Sequence, residues 1–392
     1  MKALLFERRE ARYAAARIAS SLRPGSGARV GPLSVRDIDP PELPGDDWLR
    51  VAPRLSGICG SDLATLSSRT SRYFEPLVSL PFVPGHEIVG TLDDDTRVVV
   101  DAVLGHAARG EAPPHAGAAP GDGLDYGHLV TGPIEAGIQT GSCHSTGGGW
   151  SSQLVAHASQ LHEVPDDLDD DAAVMVEPTA SGIHAALRGD VGPGDTVVVL
   201  GAGTIGLCTI AALRSGSQAA TIIATAKYPH QRRLAAELGA DLVVAPSEIR
   251  RAVRRAVGCR MTGEVLSGGA DVTIDAVGSA GSFGDAVAVT RPRGRVVLCG
   301  MPGKIGVDLA PVWHRETEVV GAYTYGTERL PDGSAVHTFD LALELVRRAG
   351  LGRLVSAHYR LDDYVEAVAH AAEAGPRGAV KVVFDLRDTT GD

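Results

Sequence analysis

Three segments of the 392-residue chain carry side chains of the kinds that bind divalent metal ions. GICGSD contains Cys59, PGHEIVG contains His86 followed by Glu87, and VEPTASGIHA contains Glu177. A thiolate, an imidazole and a carboxylate suit Zn²⁺, whose catalytic sites use three protein ligands, and zinc there acts as a Lewis acid on an alcohol or carbonyl oxygen. The separations of 27 and 91 residues are not diagnostic. A buried thiol, a loop histidine and an acid at a helix start remain the alternatives for the separate residues.

A glycine-rich turn lies in the second half of the chain, at the sequence GAGTIG. It directly follows the apolar run TVVVL and opens a helical pattern, which is the context that a dinucleotide-binding turn requires. The glycines then allow a tight turn, close approach of a pyrophosphate and packing of the helix on the strand, while the helix N-terminus binds the phosphates. The alternative is a glycine turn without a ligand. The predicted turn comprises Gly201, Ala202, Gly203, Thr204, Ile205 and Gly206.

The residues about 20 positions after the glycine turn bear on the choice of cofactor. NAD sites place an Asp or Glu there, which binds the ribose 2′-hydroxyl. The residue 20 positions after Gly206 is Ala226, and it is followed by Lys227 and then by Arg232 and Arg233. A small neutral residue followed by cations would accept a 2′-phosphate, so we predict a preference for NADP(H). The alternative is that Lys227 is a solvated loop charge and that NAD(H) binds as well.

Short apolar strands alternate with amphipathic helices from about residue 171. This α/β pattern predicts a doubly wound parallel sheet that is covered on both faces. Strand ends line the cofactor crevice in such sheets, so Val277 in DAVGS and Cys299 and Gly300 in CGMPG are predicted beside the cofactor. The predicted strands are 196–201, 221–226, 241–245, 270–278, 294–300 and 317–323, with helices at 204–216 and 229–240.

The first hundred residues read as short strands separated by turns, with strands at 2–6, 49–59 and within 87–103. Residues 107–123 are nearly all Ala, Gly and Pro, which predicts an exposed loop. Near the C-terminus, a helical pattern at 339–350 precedes an apolar strand at 379–386. We therefore predict that a central dinucleotide domain is bracketed by a first domain to which the C-terminal segment returns.

Composition excludes several classes of function. With 37 basic and 48 acidic residues, the formal net charge of −11 disfavours binding to nucleic acid or to an anionic membrane. The five cysteines are widely spaced and odd in number, so no disulfide framework is expected and a cytoplasmic location is predicted. The uncharged stretch 196–213 is long enough for a membrane span, but a strand, a glycine turn and a helix explain it better. An Arg-rich start could imitate a transit peptide, although a first strand and a turn are preferred.

Taken together and in this order, the motifs resemble those of the zinc-dependent medium-chain alcohol dehydrogenases. The resemblance runs from MKALLFE through GICGSD, PGHE, EP-x-x-x-G-I-H-A and GAGTIG to AVKVVFD. The most similar texture is that of the polyol, sugar and threonine dehydrogenases, which have Glu in an EP motif where other members have Cys. The resemblance implies a mainly-β GroES-like catalytic domain, residues 1–178 completed by 324–392, and a Rossmann domain, residues 179–323.

The resemblance also implies roles for the site residues. Cys59 and His86 would be zinc ligands, and Glu177 would be the third ligand or would hold a metal-bound water. Glu87 can be a ligand in this family when the zinc shifts. Ser61 occupies the position of a hydroxyl that relays a proton, and Asp62 that of a carboxylate that orients a histidine ligand. Ser61 and Asp62 could also cap the following helix.

Two departures from the family pattern qualify these expectations. Many relatives hold a second, structural zinc on four closely spaced cysteines, but residues 101–150 contain only Cys143. We therefore predict one catalytic zinc, no structural zinc and a solvated loop, because the four histidines there have no metal-site spacing: His106, His115, His128 and His144. Ala64 replaces a histidine that completes the proton relay in some relatives. A relay through Ser61 would thus need water, the cofactor ribose or another group.

The predicted function is hydride transfer between NADP(H) and an alcohol or carbonyl of a small hydroxylated molecule, such as a polyol, a sugar or a biosynthetic intermediate. Two alternatives are a zinc-free quinone or enoyl reductase of the same superfamily and a catalytically silent NADPH-binding protein. A homodimer or homotetramer is expected, because the strand near TEVVGAY could lie at the sheet edge and pair with a second subunit.

Overall fold

The computed structural model describes residues 1–330 and 332–387, which form two compact units. One unit contains residues 1–177 together with the chain from Arg329 onward, and the other contains Pro178–Glu328. Residues 331 and 388–392, which fall within the predicted catalytic domain, lie outside the described residues. The chain thus leaves the first unit, completes the second and returns.

The strands are short, and the longest lies near the start of the chain. In chain order they are β1 (Lys2–Phe6), β2 (Leu33–Asp37), β3 (Trp48–Gly57), β4 (Ile88–Thr91), β5 (Arg97–Val100), β6 (Leu154–His157), β7 (Leu161–Glu163), β8 (Thr196–Leu200), β9 (Thr221–Thr225), β10 (Leu242–Val244), β11 (Met261–Thr262), β12 (Val265–Leu266), β13 (Ala270–Asp275), β14 (Thr290–Leu298), β15 (Glu318–Gly321), β16 (Thr327–Arg329), β17 (Ala335–His337), β18 (Val355–Tyr359) and β19 (Lys381–Asp385).

The α-helices alternate with strands mainly in the second unit. In chain order they are α1 (Glu10–Leu22), α2 (Gly27–Val30), α3 (Gly60–Leu66), α4 (Asp170–Ala173), α5 (Val176–Arg188), α6 (Thr204–Gly216), α7 (Pro229–Glu237), α8 (Ile249–Val257), α9 (Ala280–Val289), α10 (Ala310–His314), α11 (Thr338–Ala349) and α12 (Tyr364–Ala372).

The second unit is built on a parallel sheet of six strands in the order β10-β9-β8-β13-β14-β15. Its central strands are runs of Val and Ile buried on both faces, which is what parallel sheets between helices require. The chain order reverses between β8 and β13, and doubly wound sheets bind ligands outside the strand ends at that point. The predicted doubly wound fold is confirmed.

The first unit contains a seven-stranded sheet, in which β18-β19-β3-β4-β5-β7 form a continuous path and β6 pairs with β3. The C-terminal strand β19 lies between β18 and β3, and it is antiparallel to β3. Its Phe384 packs edge-on against Trp150 at a ring separation of 5.1 Å in the buried core. The C-terminal strand is therefore part of the same sheet as β3.

The N-terminal segment departs from the prediction of a strand followed by a turn. Strand β1 forms as expected, but the 13-residue helix α1 follows it. Its sequence EARYAAARIASSL contains five Ala and two Arg, which favour helix, and its fully buried Ala16 and half-buried Tyr13 face the protein. The Tyr13 ring packs edge-on against Phe6 at 5.4 Å. The prediction of strands and turns alone was wrong here.

Residues 107–123 were expected to be an exposed, solvated loop, and this is only half right. The stretch 111–117 is exposed, but the Arg109 side chain is buried. Its guanidinium donates hydrogen bonds of 2.6–3.1 Å to four backbone carbonyls between positions 131 and 137. Burial lowers the pKa of Arg109. One long cation thus cross-links this region, a role that the Ala/Gly/Pro composition does not reveal.

The apolar stretch 196–213 forms β8 and part of α6, as expected. Within residues 1–330 and 332–387, no helix combines the length and the apolar character needed to span a bilayer. All five cysteines are free thiols. Strand β15, which contains most of TEVVGAY, lies at one edge of the parallel sheet, so the edge position is observed while its pairing with a second subunit stays a prediction.

Candidate zinc and cofactor sites

Two turns of the first unit bring the predicted metal ligands together. Cys59 is the residue before α3, and His86 and Glu87 directly precede β4. Gly85, just before His86, has a φ of +97°, and a Cβ there would lie 2.4 Å from the Trp150 ring. Only glycine fits this position, which explains the PGHE sequence. One ligand atom each from Cys59, His86 and Glu87, hereafter the cysteine cluster, lies within 4.8 Å of the others.

The two ring nitrogens of His86 face different partners. Nδ1 lies 3.5 Å from Asp62 Oδ1, and Nε2 lies 3.5 Å from the Ser61 hydroxyl oxygen. The other oxygen of Asp62 accepts a hydrogen bond of 2.9 Å from the Cys59 backbone N–H. Asp62 therefore caps α3 and faces His86 at once, and its role in orienting a metal ligand stays a prediction. A carboxylate on one imidazole nitrogen orients the other toward a metal.

Electrostatics favour a cation at the cysteine cluster. Burial acts to lower the pKa of His86, but Asp62 and the Cys59 sulfur outweigh it and hold that pKa well above its ordinary value. The imidazole thus holds a proton tightly when no other cation is present. A divalent ion bound to a ring nitrogen of His86 would replace that proton and offset the nearby anions.

Glu87 is held by a lysine that sequence reasoning did not single out. Lys381, on β19, donates to both carboxylate oxygens of Glu87 at 2.6 Å, and both side chains are buried. Burial acts to lower the pKa of Lys381, but Glu87 and Cys59 outweigh it and raise that pKa. A Cβ on Gly57 would lie 1.8 Å from the Glu87 carboxylate, so that glycine makes room for the pair. The signal in the sequence is a lone cation inside the apolar strand AVKVVFD.

Glu177 does not join the three ligand atoms that lie within 4.8 Å of one another. It is buried in the first turn of α5, and its charge contributes to raising the pKa of Lys381, which places it in the same electrostatic environment. The structure therefore brings together Cys59, His86 and Glu87, with Asp62 and Ser61 alongside. Whether Glu87 or Glu177 is the third ligand stays a prediction.

The donor set fits zinc. Sulfur, imidazole and carboxylate are zinc's protein ligands, and the other ring nitrogen of His86 already faces a carboxylate. Glu87 is already ion-paired with Lys381, whereas the Cys59 sulfur interacts with His86, whose proton a metal ion would replace. Cys59 and His86 would therefore hold the ion, and a carboxylate would complete the set.

A cavity of about 900 Å³ lies beside this cluster and is lined by residues of the first unit alone. Ser61 and Asp62 form part of its wall, so the cluster is next to space that a small molecule could occupy. Charged, polar, aliphatic and aromatic side chains share the rest of the wall. They include Tyr13, Thr65, Thr70, Phe74 and Gln139.

The glycine turn has the geometry that its sequence predicts. Gly201 has a φ of +93°, and a Cβ on Gly206 would lie 1.8 Å from the Gly201 carbonyl oxygen. Gly203 differs, because a Cβ there would meet no protein atom within 4 Å. The first and third glycines are thus required by the fold itself, while Gly203 faces open space at the start of α6. A ligand that approaches the backbone there would account for a glycine that the fold does not need.

The other residues predicted beside the cofactor, Val277, Cys299 and Gly300, follow β13 and β14. Hydrogen bonds to Asp275 fix their backbone. This buried carboxylate, which sequence reasoning missed, accepts hydrogen bonds from the backbone N–H groups of Val277 and Gly278 at 2.9 and 3.1 Å. Its backbone carbonyl accepts from the N–H groups of Cys299 and Gly300. One residue therefore fixes both strand ends beside the switch point of the sheet. Val277 is half-exposed, and a Cβ on Gly201 would lie 2.6 Å from its Cγ2 atom.

The end of β9 carries positive charge. Ala226 is buried, Lys227 is exposed, and Arg232 donates from Nε to the Ala226 carbonyl at 3.1 Å. That hydrogen bond holds the Arg232 guanidinium near Lys227. Arg233 instead faces Glu237, one helical turn later, at 3.6 Å.

Comparison with known proteins adds a family to this geometry. Sequence profiles of the zinc-binding dehydrogenases and of the alcohol dehydrogenase GroES-like domain match residues 204–345 and 45–166. Sorbitol dehydrogenase of Arabidopsis thaliana is 30% identical over 367 residues, covering 90% of this chain and 93% of that protein. L-idonate 5-dehydrogenase of Vitis vinifera is 28% identical over 349 residues, covering 86% and 88%.

Solved structures agree. One provisionally assigned as a zinc-binding dehydrogenase, from Sinorhizobium meliloti 1021 and bound to NADP, superposes with a TM-score of 0.67 at 25% identity. The match covers 90% of this chain and 96% of the other. The predicted family, its GroES-like and Rossmann folds and an alcohol dehydrogenase/reductase activity are therefore confirmed. This chain belongs to the zinc-dependent medium-chain alcohol dehydrogenases, a family of oxidoreductases.

Proposed function

We propose that this enzyme transfers a hydride between NADP(H) and a hydroxyl or carbonyl group of a polyol or sugar, with one catalytic zinc on Cys59 and His86. The observation that carries the proposal is the cysteine cluster, with its ligand atoms within 4.8 Å beside a cavity of about 900 Å³. In this proposal residues 1–178 and 324–392 form the catalytic domain, and residues 179–323 form the cofactor domain.

When bound, zinc would polarise the substrate oxygen and the nicotinamide would carry the hydride. Ser61 lies 3.5 Å from His86 Nε2 and lines the cavity, so its hydroxyl is placed to exchange a proton with a substrate hydroxyl at the cluster. Thr65 donates to the Ser61 carbonyl and fixes the backbone at that point. Since Ala64 offers no onward proton acceptor, water in the cavity would complete the path.

The substrate class rests on the relatives and on the cavity wall. The two similar curated enzymes are named for sorbitol and L-idonate. In this chain, Thr70, Gln139 and Tyr13 offer hydroxyl and amide groups to a polyhydroxylated molecule, and Phe74 offers an apolar ring face. This mixture suits a sugar or polyol, which has hydroxyl groups along its edges and C–H groups on its faces.

The NADP(H) preference rests on charge at the end of β9. A 2′-phosphate would meet Lys227 and Arg232, and Ala226 provides no carboxylate to repel it. The relative that is bound to NADP shows that this fold accommodates that cofactor.

The function is tested by measuring kcat/KM for a panel of polyols and ketoses, before and after removal of zinc. Polyols are assayed with NAD⁺ and NADP⁺, and ketoses with NADH and NADPH. We expect turnover of a polyol or ketose that is higher with NADP(H) and is lost on chelation and restored by added zinc. Activity that survives chelation, with quinones or enoyl compounds as substrates, would instead support a zinc-free reductase. Cofactor binding without turnover of any compound would support a silent NADPH-binding protein.

The cofactor preference has its own variant. In Lys227→Ala we expect kcat/KM for NADPH to fall roughly tenfold, about what one charge-assisted hydrogen bond contributes, while the value for NADH stays constant. Arg233→Ala removes the same charge from a side chain that faces Glu237, and it serves as the matched control. Equal losses with both cofactors, or equal losses in both variants, would contradict the assignment.

We also propose a cytoplasmic homodimer or homotetramer that pairs along β15. The strand is an edge strand, and its Val319 and the following Tyr323 are partly exposed. Light scattering tests the assembly, and Val319→Lys is expected to weaken it because charge on an edge opposes strand pairing. A monomer in the unmodified protein would contradict the proposal.

A further inference from the structure

A second group of potential metal ligands lies in the first unit, away from the cysteine cluster in sequence. Asp101 follows β5, His162 is in β7, which pairs with β5, and His337 ends β17 just before α11. One ligand atom from each residue lies within 4.8 Å of the other two. These three residues are hereafter the histidine cluster.

The three facing atoms lack hydrogen-bond partners. Asp101 Oδ2, His162 Nε2 and His337 Nε2 are all buried, and none meets the geometry of a hydrogen bond, although Asp101 Oδ2 and His337 Nε2 face each other at 3.4 Å. Asp101 itself has no exposed surface. Buried polar atoms are rarely left unpaired, and three that converge on one point indicate that something binds among them.

The other polar atoms of the same side chains are engaged or face a charge. Asp101 Oδ1 accepts from the Val103 backbone N–H at 2.9 Å. His162 Nδ1 lies 3.8 Å from the Asp340 carboxylate, and His337 Nδ1 accepts from the Phe339 backbone N–H at 3.1 Å. The side chains are thus fixed so that their free atoms point at one another.

We propose that the histidine cluster is a second zinc site, with Asp101, His162 and His337 as ligands and water in the fourth position. Two nitrogens and one carboxylate oxygen are zinc ligands. Ligand atoms 2.0–2.1 Å from a tetrahedral zinc lie about 3.3 Å apart, and Asp101 Oδ2 and His337 Nε2 are separated by 3.4 Å. Its three ligand atoms are buried, and none of its residues lines the cavity beside the cysteine cluster, so we assign the site a structural role. This proposal departs from the prediction of a single zinc.

Zinc at His337 Nε2 competes with one existing hydrogen bond. While Nδ1 accepts from the Phe339 N–H, the proton of the neutral ring is on Nε2, and zinc requires that nitrogen to be free. Zinc binding therefore gives up the side-chain cap of α11, a smaller loss than the gain from three new metal bonds. A water molecule is the competing occupant, since it could accept from one nitrogen and donate to the other two groups.

The site would join parts of the first unit that are distant in sequence. Asp101 and His162 precede the second unit in the chain, and His337 follows it. Zinc here would therefore tie the returning C-terminal segment to the sheet of the first segment. This role does not depend on the cysteine cluster or on the proposed reaction.

The test is the zinc content per chain after equilibrium dialysis against zinc chloride. We expect two zinc ions in the unmodified protein, one in Cys59→Ala and none in Cys59→Ala combined with His162→Gln. The matched control is Cys59→Ala combined with His115→Gln, which alters a half-exposed histidine outside the cluster and should keep one zinc. Replacing His162 should lower the zinc affinity of the histidine cluster more than about 100-fold. This exceeds the loss expected when a residue that only hydrogen-bonds to a metal ligand is changed.

Folding is followed by circular dichroism, and Asp101→Asn replaces His162→Gln if that variant unfolds. A Cys59→Ala protein that is folded but binds no zinc would overturn the proposal and leave water as the occupant. Retention of one zinc in the folded Cys59→Ala, His162→Gln protein would place the second ion elsewhere and would also overturn it. Absence of zinc from the Cys59 site alone, with one ion kept by the histidine cluster, would contradict the proposed function but not this inference.

Discussion

The cysteine cluster and the histidine cluster each gather three ligand atoms within 4.8 Å, but their surroundings differ. In the first, Lys381 already neutralises Glu87, Asp62 faces His86, and Ser61 opens onto a cavity. In the second, three buried atoms face one another without hydrogen bonds. The first cluster is adjacent to space for a substrate, whereas the second is enclosed.

This difference underlies the two roles that we propose, catalytic for the cysteine cluster and structural for the histidine cluster. A catalytic metal needs an open coordination position and groups that tune it, while a structural metal needs full enclosure. The cation of Lys381 also balances part of the negative charge of the cysteine cluster before any metal binds. The predictions below test this contrast.

The largest effect is expected from Cys59→Ala. Loss of a ligand should remove zinc from the cysteine cluster and lower kcat/KM at least about a thousandfold. Zinc would stabilise the charge of the transition state by several kcal/mol, and each 1.36 kcal/mol corresponds to a tenfold change in rate. Steady-state kinetics and zinc analysis measure both. Cys208→Ala, a buried thiol on α6, is the control and should keep zinc and activity. Full activity in Cys59→Ala would refute the catalytic assignment.

A smaller effect, on stability, is expected from Lys381→Met. The change leaves the Glu87 carboxylate buried without its partner, which should lower the free energy of unfolding by about 3 kcal/mol. This is the low end of the range for a broken buried ion pair, because His86 offers a second positive charge nearby. Denaturant unfolding of the zinc-free protein measures this. Lys381→Met combined with Glu87→Gln should recover most of the loss. An unchanged unfolding midpoint in the single variant would show that the ion pair is not needed to hold the cluster.

The smallest effect is expected from Asp62→Asn. The amide oxygen can still accept from the Cys59 N–H, so α3 stays capped, but the charge that faces His86 is lost. Zinc affinity should fall about tenfold, the lower range for an outer partner of a histidine ligand, with little change in unfolding. Competition with a zinc chelator measures the affinity. A large loss of stability with unaltered zinc affinity would mean that Asp62 only caps the helix.

The sequence predicts local features well. The run TVVVL before GAGTIG specifies both β8 and the turn into α6, and the helix occupies residues 204–216 as predicted. The turn with His86 is also predictable from its sequence, because Gly85 has a φ of +97°, which glycine adopts readily. These features depend on residues close together in the chain.

What the sequence does not reveal depends on distant partners. Lys381 is 294 positions from Glu87, and only the placement of β19 beside β3 makes them a pair. The histidine cluster combines residues 101, 162 and 337, none of which has metal-site spacing. Arg109 likewise looks like a loop charge until the carbonyls around it are known.

The most direct test of the proposed zinc chemistry is an anomalous difference map at the zinc edge from crystals of the full chain grown with NADP⁺. We expect a peak about 2.3 Å from Cys59 Sγ and about 2.1 Å from His86 Nε2, with Lys227 facing the 2′-phosphate of the cofactor. A map from active protein that shows no zinc at Cys59 and His86 would contradict the central claim.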